Sequence, residues 1–206
     1  MSAIKTRAVK SSAVKKRAAK KSIAKKTVVK KPPAKKSAAK KALTKMPPVK
    51  KFAVKSGDLA PAFSALNQEG KKISLTNFKG KQTVVLYFYP RAMTPGCTVQ
   101  ACGVRDTAAE FKRMNAVVLG VSPDKATSLV KFRERDKLNF DLLSDEDNRL
   151  SKAYGTWGMK KFMGREFMGV RRWTFIIGKD GKIKHVIDDV NTKTHHNDVL
   201  ALLKSL

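Results

Sequence analysis

The chain has 206 residues, and its 45 basic and 16 acidic side chains give a formal net charge of +29 at pH 7. Its two cysteines are too few for the disulfide framework of a small secreted protein. No apolar run approaches the roughly 18 residues that span a bilayer, so we expect neither a membrane protein nor a secretory leader.

The first 56 residues form a basic segment. They contain 18 lysines, two arginines and no acidic residue, so the rest of the chain carries 45 − 20 = 25 basic against 16 acidic side chains. Lysine recurs at every fifth position from Lys5 to Lys55, so a helix would present no apolar face. Proline pairs at 32–33 and 47–48 would also break a helix. Because such a segment cannot offset the entropy cost of ordering, we predict that residues 1–56 are disordered.

This composition resembles the Lys/Ala/Pro tails of linker histones and of bacterial histone-like proteins. A polycation neutralises phosphates and releases counterions without reading base sequence. We therefore expect residues 1–56 to bind nucleic acid or another polyanion, and a solubility or targeting role is the alternative. A bacterial cytoplasm, with the protein at the nucleoid, and a nucleus both suit such a chain.

We predict that residues 57–206 form one domain, whose size supports a single hydrophobic core. The pattern predicts, in chain order, a buried strand at 83–89, a helix at 98–114, a strand at 117–121 and a helix at 126–136 capped by Asp124. A short helix at 146–154 follows. Strands at 173–177 and 183–187 around a turn at 179–182 precede a last helix at 196–206. Residues 157–169 show no clear period, and we expect a loop that borders the site. This order predicts an α/β fold with a mixed central sheet and helices on both faces, which fits a thioredoxin-like fold.

Both cysteines lie in the segment YFYPRAMTPGCTVQAC, residues 87–102. The chain leaves the first strand, turns through Pro90 and places Cys97 at the start of a helix, with Cys102 five residues later. A thiol reacts with peroxide only as the thiolate. The helix N-terminus, the Thr94 hydroxyl and an arginine from elsewhere in the chain are groups that stabilise an ionised sulfur. The segment therefore suits formation of a thiolate, its oxidation and the trapping of the product as a disulfide.

The segment resembles the active site of the peroxiredoxins, in the bacterioferritin comigratory protein (peroxiredoxin Q) branch. The family pattern P-x-x-x-T-x-x-C matches Pro90, Thr94 and Cys97, and the pattern R-x-[TS]-F matches residues 172–175. The likeness covers nearly all of residues 57–206. It implies a peroxiredoxin-type thioredoxin-like fold and assigns the family arginine to Arg172 rather than to its neighbour.

The resemblance also implies a reaction cycle. Cys97 would be the peroxidatic cysteine that reduces hydrogen peroxide or an organic hydroperoxide, and Cys102 the resolving cysteine that forms an intramolecular disulfide with it. Thioredoxin or a similar dithiol would reduce that disulfide, and no cofactor is implied.

Other interpretations of these residues exist. Cys102 alone is more typical of a small buried apolar residue. The C-x4-C spacing has no second cysteine pair and no nearby histidine, so it does not predict zinc, and the C-x-x-C of thioredoxin-type oxidoreductases is absent. We expect structural roles for His185, His195 and His196, and a structural ion pair for Arg105 and Asp106. The rival function is a nucleoid- or chromatin-associated redox sensor with little peroxidase turnover.

Overall fold

A computed structural model describes residues 54–162 and 164–206 of the chain. The prediction of disorder for the basic tail falls on residues outside this part, except for 54–56, and these three contact the domain. Val54 is buried, and the Ser56 hydroxyl donates a hydrogen bond to the Lys184 carbonyl oxygen. Among the described helices, none has the length and apolar character needed to cross a membrane.

Seven strands form a mixed sheet in the order β2-β1-β5-β4-β3-β8-β9. These strands are β1 (Ser64–Asn67), β2 (Lys72–Ser74), β3 (Thr83–Phe88), β4 (Ala116–Ser122), β5 (Asp141–Ser144), β8 (Thr174–Ile177) and β9 (Ile183–Ile187). The central pairs β3–β4 and β4–β5 are parallel, and the outer pairs are antiparallel. Two further strands, β6 (Trp157–Phe162) and β7 (Arg165–Val170), form a separate antiparallel hairpin.

Two hydrophobic clusters cover the two faces of the sheet. The helices that supply them are α1 (Pro95–Asp106), α2 (Ala108–Arg113), α3 (Ala126–Asp136), α4 (Arg149–Ala153) and α5 (His195–Lys204). Side chains of α1, α2, α3 and α5 contribute to one cluster, and α4 contributes to the other. Residues of β3 alternate between the clusters, and this alternation places Tyr87 beneath α1. The mixed sheet with helices on both faces confirms the predicted architecture.

The single helix predicted at 98–114 is wrong in two respects. The helix begins earlier, at Pro95. Proline suits the first helical position because an N–H there would have no partner within the helix, so its absence costs nothing. The helix also divides into α1 and α2 at Thr107, whose hydroxyl donates to the Gly103 carbonyl oxygen at 2.8 Å. A threonine that bonds back to the preceding turn in this way bends a helix.

The loop predicted at 157–169 is also wrong, because β6 and β7 occupy most of it. The hairpin is separate from the main sheet. Its sequence lacks the alternation of apolar and polar residues by which a half-buried strand is recognised. Strands β1, β2 and β5 were not predicted either. They have three or four residues each, which is too short to show a period.

Candidate active site

The loop between β3 and α1 is fastened to the end of β4. The Asp124 carboxylate accepts hydrogen bonds from the Ala92 N–H at 2.6 Å and from the Ser122 hydroxyl at 3.0 Å. The prediction that Asp124 caps the following helix is wrong, because Lys125 occupies the N-cap position of α3. The carboxylate instead satisfies a backbone donor of the loop, and this fixes the approach of the chain to Cys97.

Cys97 lies in the first turn of α1, where only 2% of its surface is exposed. Its N–H and that of Gly96 occupy the third and second helical positions, which have no carbonyl oxygen within the helix to bind. These donors and the positive end of the helix dipole favour negative charge at this point. The predicted position of Cys97 at a helix start agrees with the structure.

Arg172 reaches the sulfur from the segment just before β8. Its Nη2 lies 3.3 Å from the Cys97 Sγ, and its Nη1 donates to the Gln100 Oε1 at 2.5 Å. Gln100 is fully buried, and the sequence analysis missed it. Its position three residues after Cys97, on the same helix face, was the available signal. A neutral amide holds the guanidinium group without neutralising it, so the positive charge stays directed at the sulfur.

Arg171 occupies a different environment from Arg172. Its Cζ lies 5.8 Å from the centroid of the Trp173 ring, and its Nη2 lies 3.1 Å from the point that a Cβ at Gly158 would take. The structure therefore brings Arg172 and not Arg171 to the sulfur, in agreement with the R-x-[TS]-F pattern.

Thr94 and Pro90 shape the loop ahead of the sulfur. Thr94 is the N-cap residue of α1, but its hydroxyl donates to the Arg91 carbonyl oxygen at 3.1 Å. The hydroxyl therefore does not donate to Cys97 in this structure, which differs from the sequence-based prediction. Pro90 is half-buried at the bend after β3, where its fixed φ angle turns the chain toward α1.

Cys102 lies in the same helix and is half-buried, and both cysteines are free thiols. Residues five apart on an ideal helix have Cα atoms roughly 8–9 Å apart, as the rise and radius of the helix require. A disulfide needs Cα atoms within about 7 Å. The helical form of α1 is therefore incompatible with a bond between Cys97 and Cys102.

Comparison with known proteins agrees with this geometry. The sequence profile of the AhpC/TSA family matches residues 56–186. The chain belongs to the AhpC/TSA family. It is 52% identical over 151 residues to the Peroxiredoxin Bcp of Escherichia coli strain K12, an alignment covering 73% of this chain and 96% of that protein. It is 40% identical over 153 residues to the Peroxiredoxin Bcp of Bacillus subtilis strain 168, covering 74% and 97%.

Solved structures share the fold of this peroxiredoxin. The crystal structure of Peroxidoxin BcpB from Mycobacterium tuberculosis has a TM-score of 0.67 and 35% identity, covering 74% of this chain and 98% of that one. The Bacterioferritin Comigratory Protein of Xanthomonas campestris has a TM-score of 0.66 and 30% identity, covering 69% and 90%. These similarities confirm the thioredoxin-like fold, the branch of the family and the activity class, a peroxidase among the oxidoreductases.

Uncharged aromatic side chains lie beneath the active-site helix of the peroxiredoxin. The rings of Tyr87 and His195 are 5.7 Å apart between centroids. Burial raises the pKa of Tyr87, and burial lowers the pKa of His195 to about 3. The His195 Nε2 is hydrogen-bonded to the Thr174 Oγ1 at 2.8 Å. Both rings are therefore neutral at pH 7 and leave the cations around Cys97 as the source of charge at the site.

The remaining predicted structural residues lie where the sequence placed them. His185 lies in β9, His196 is in the first turn of α5, and Arg105 pairs with Asp106 at 2.7 Å. The His196 ring packs directly against Gly103, so a larger residue there would require the ring to move. Across residues 54–162 and 164–206, no three histidine, cysteine or acidic side chains converge as metal ligands would.

Proposed function

We propose that the protein is a thiol-specific peroxidase in which Cys97 is the peroxidatic and Cys102 the resolving cysteine. The observation that carries this proposal is the contact of 3.3 Å between the Arg172 guanidinium group and the Cys97 sulfur. A fixed cation next to the sulfur and two free N–H groups from the first turn of α1 stabilise the thiolate, the form that reacts.

In the proposed first step, the Cys97 thiolate attacks the terminal oxygen of a hydroperoxide. A sulfur–oxygen bond forms, the oxygen–oxygen bond breaks, and the leaving oxygen keeps the bonding electron pair and takes up the peroxide proton. Cys97 becomes a sulfenic acid in its ionised form, and the peroxide becomes water or an alcohol. Arg172 and the N–H groups of Gly96 and Cys97 are donors for the charge that develops on the departing oxygen. Thr94 is a further proposed donor to this oxygen, and this role requires its hydroxyl to release the Arg91 carbonyl oxygen that it binds in the structure.

In the second step, the Cys97 sulfenate takes up the proton of the Cys102 thiol, and the resulting Cys102 thiolate attacks the Cys97 sulfur. A disulfide forms, the sulfur–oxygen bond breaks, and the leaving hydroxide takes a proton from solvent to depart as water. A dithiol reductant of the thioredoxin type then reduces the disulfide by exchange through a mixed disulfide. Hydrogen peroxide and organic hydroperoxides are the proposed substrates. The similarity to the Xanthomonas campestris protein, whose structures are described in terms of its alkyl peroxide reduction activity, supports the organic class.

Peroxide consumption by three forms of the protein tests this cycle. With thioredoxin and its reductase, wild type should turn over many times, Cys97→Ser should be inactive, and Cys102→Ser should reduce about one peroxide per chain without recycling. Multiple turnover by Cys97→Ser would refute the assignment. Fast oxidation of wild type without recycling by any dithiol would favour the redox sensor instead.

We also propose that the basic tail binds DNA or another polyanion. Residues 1–56 carry 20 positive charges without an acidic residue, and they contain no pattern that would read bases. If roughly 6–10 phosphates are bound at once, affinity should fall about 10³–10⁵-fold between 50 and 200 mM salt. The tail would then hold a cytoplasmic peroxidase at nucleic acid, where peroxide does damage.

A gel-shift titration at these two salt concentrations tests the tail. The truncated chain should begin at Val54, because Val54 and Ser56 contact the domain and their removal would disturb it. It should lose most of its DNA affinity and keep its peroxidase activity. Equal affinity with and without the tail would leave a spacer or targeting role.

A further inference from the structure

Lys160 lies on the β6–β7 hairpin and is held across it. Its ammonium group donates a hydrogen bond to the Val170 carbonyl oxygen at 2.8 Å. Its Cδ lies 3.4 Å from the point that a Cβ at Gly169 would take, so the aliphatic part of the side chain crosses the opposite strand where that strand has no side chain. The half-buried ammonium group is thus fixed to the backbone two residues before Arg172.

The hydrogen bond places the Lys160 ammonium group at the residue that directly precedes Arg171 and Arg172, and the Arg172 Nη2 lies 3.3 Å from the Cys97 sulfur. The electrostatics agree with this placement. Burial lowers the pKa of Lys160, repulsion from Arg172 and Arg171 lowers it further, and attraction to the Cys97 sulfur opposes the change. In the part of the chain that the structure describes, the five ion pairs all involve other residues.

Three cations without a carboxylate partner repel one another, so their convergence costs stability unless an anion is present. The anion that this site forms is the Cys97 thiolate, followed during reaction by the departing oxygen. Arg172 contacts the sulfur directly, whereas Lys160 acts over a longer distance through a region that is partly shielded from water. Its effect on the sulfur is correspondingly smaller but adds to that of Arg172.

We propose that Lys160 is a positioning residue of the peroxidase site, which supplies a second fixed positive charge to Cys97 through the β6–β7 hairpin. This charge stabilises the thiolate before reaction and the negative charge on the leaving oxygen during it. The proposal rests on the proposed role of Cys97. It also gives the hairpin a function, because the hairpin carries the ammonium group while the segment before β8 carries the guanidinium group and α1 carries the sulfur.

The test compares four full-length proteins: wild type, Lys160→Gln, Lys160→Arg and Lys161→Gln. Lys161 is exposed and is the next residue on the same strand, so its replacement removes an equal charge from the same hairpin. The thiolate absorbance of Cys97 is followed against pH, and the rate of its oxidation by one equivalent of peroxide is followed by stopped flow. Thermal unfolding of each variant reports whether the hairpin change affects the fold.

Lys160→Gln should move the ionisation of the Cys97 thiol to higher pH and slow its oxidation at pH 7 on the order of threefold to tenfold, as a cation at intermediate range predicts. Lys160→Arg should retain most of the wild-type rate, and Lys161→Gln should match wild type. Lys160→Met, which keeps an unbranched side chain across Gly169, replaces Lys160→Gln if that variant is unstable.

Two results would overturn the proposal: an unchanged pH profile in Lys160→Gln, or equal defects in Lys160→Gln and Lys160→Arg. The second would show that the hydrogen bond to Val170, and not the charge, is what matters. If either result is found while the wild-type protein is still oxidised at Cys97, the role of Lys160 is refuted and the role of Cys97 stands. Peroxide turnover by Cys97→Ser would refute the underlying function as well.

Discussion

Cys97 and Cys102 are the same side chain on the same helix, yet their surroundings differ. Cys97 lies in the first turn of α1, almost fully buried, with a guanidinium group at 3.3 Å. Cys102 lies more than a turn later and is half-buried, on the part of α1 that packs near α5. The contrast shows that a cysteine becomes a candidate nucleophile through the groups that other elements bring to it, and the predictions below test this difference.

Replacement of Arg172 should have the largest effect, because it removes the charge that distinguishes the two cysteines. Arg172→Ala should slow oxidation of Cys97 at least 10²-fold, on the order of 2.7 kcal/mol of transition-state stabilisation. Arg171→Ala is the matched control and should be mild, since Arg171 lies over the Trp173 ring. Stopped-flow oxidation of the reduced proteins measures both rates. A severe defect in Arg171→Ala with a mild one in Arg172→Ala would reverse the assignment.

Loss of the Gln100 acceptor should have the next largest effect. Gln100→Leu keeps approximately the same volume but leaves the Arg172 guanidinium group without its buried partner. We expect a loss of about tenfold in the oxidation rate, or about 1.4 kcal/mol, because the cation is less well fixed. Gln100→Glu restores an acceptor and should recover part of the hydrogen bond while neutralising some of the positive charge. A rate for Gln100→Leu equal to wild type would show that Arg172 is positioned by other contacts.

The third prediction concerns how Cys102 reaches Cys97. Because helical spacing keeps the two sulfurs apart, α1 must unwind locally before a disulfide forms, and Gly103 weakens the helix at that point. The Arg105 guanidinium group donates to the Asp136 carbonyl oxygen at 2.6 Å and should limit the change at the far end of the segment. Amide exchange between Thr98 and Arg105 should therefore be faster in the oxidised protein. Identical exchange in both states would contradict local unwinding.

The last prediction concerns the dependence of folding stability on pH. The unfolded chain binds a proton at His195 below its ordinary pKa of 6.5, whereas burial lowers the pKa in the folded protein to about 3. The folded state therefore loses stability as pH falls below 6.5, by at most about 1.4 kcal/mol per pH unit from this residue. Urea unfolding at several pH values between 4 and 7.5 should give a flatter dependence for His195→Gln than for wild type. An unchanged slope would show that other groups control acid unfolding.

The sequence predicted the parts of the site that depend on local order. Proline, threonine and cysteine spacing placed Cys97 at the start of a helix, and the pattern at 172–175 selected Arg172 from two adjacent arginines. The continuous apolar run at 83–89 predicted the central strand, because a strand buried on both faces needs apolar residues at each position. The family and fold that followed from these features are confirmed by the comparisons.

The predictions that were wrong have separate physical reasons. Asp124 was expected to cap α3, but the backbone of the loop at Ala92 competes successfully for its carboxylate. The β6–β7 hairpin was expected to be a loop, because its strands pair only with each other and need no apolar alternation.

The sequence by itself determined the central strand, the helix that starts near Cys97 and the basic tail as a chemical feature. These depend on patterns of neighbouring residues, which fix backbone conformation and local charge. The choice of Arg172 followed from the resemblance to the peroxiredoxin pattern. Only the tertiary structure decided that Gln100 holds the Arg172 guanidinium group on the sulfur and that the Lys160 ammonium group binds the Val170 carbonyl oxygen. Such contacts join residues that are not neighbours in the chain, and their distance and burial are set by the packing of the sheet, the helix and the hairpin together.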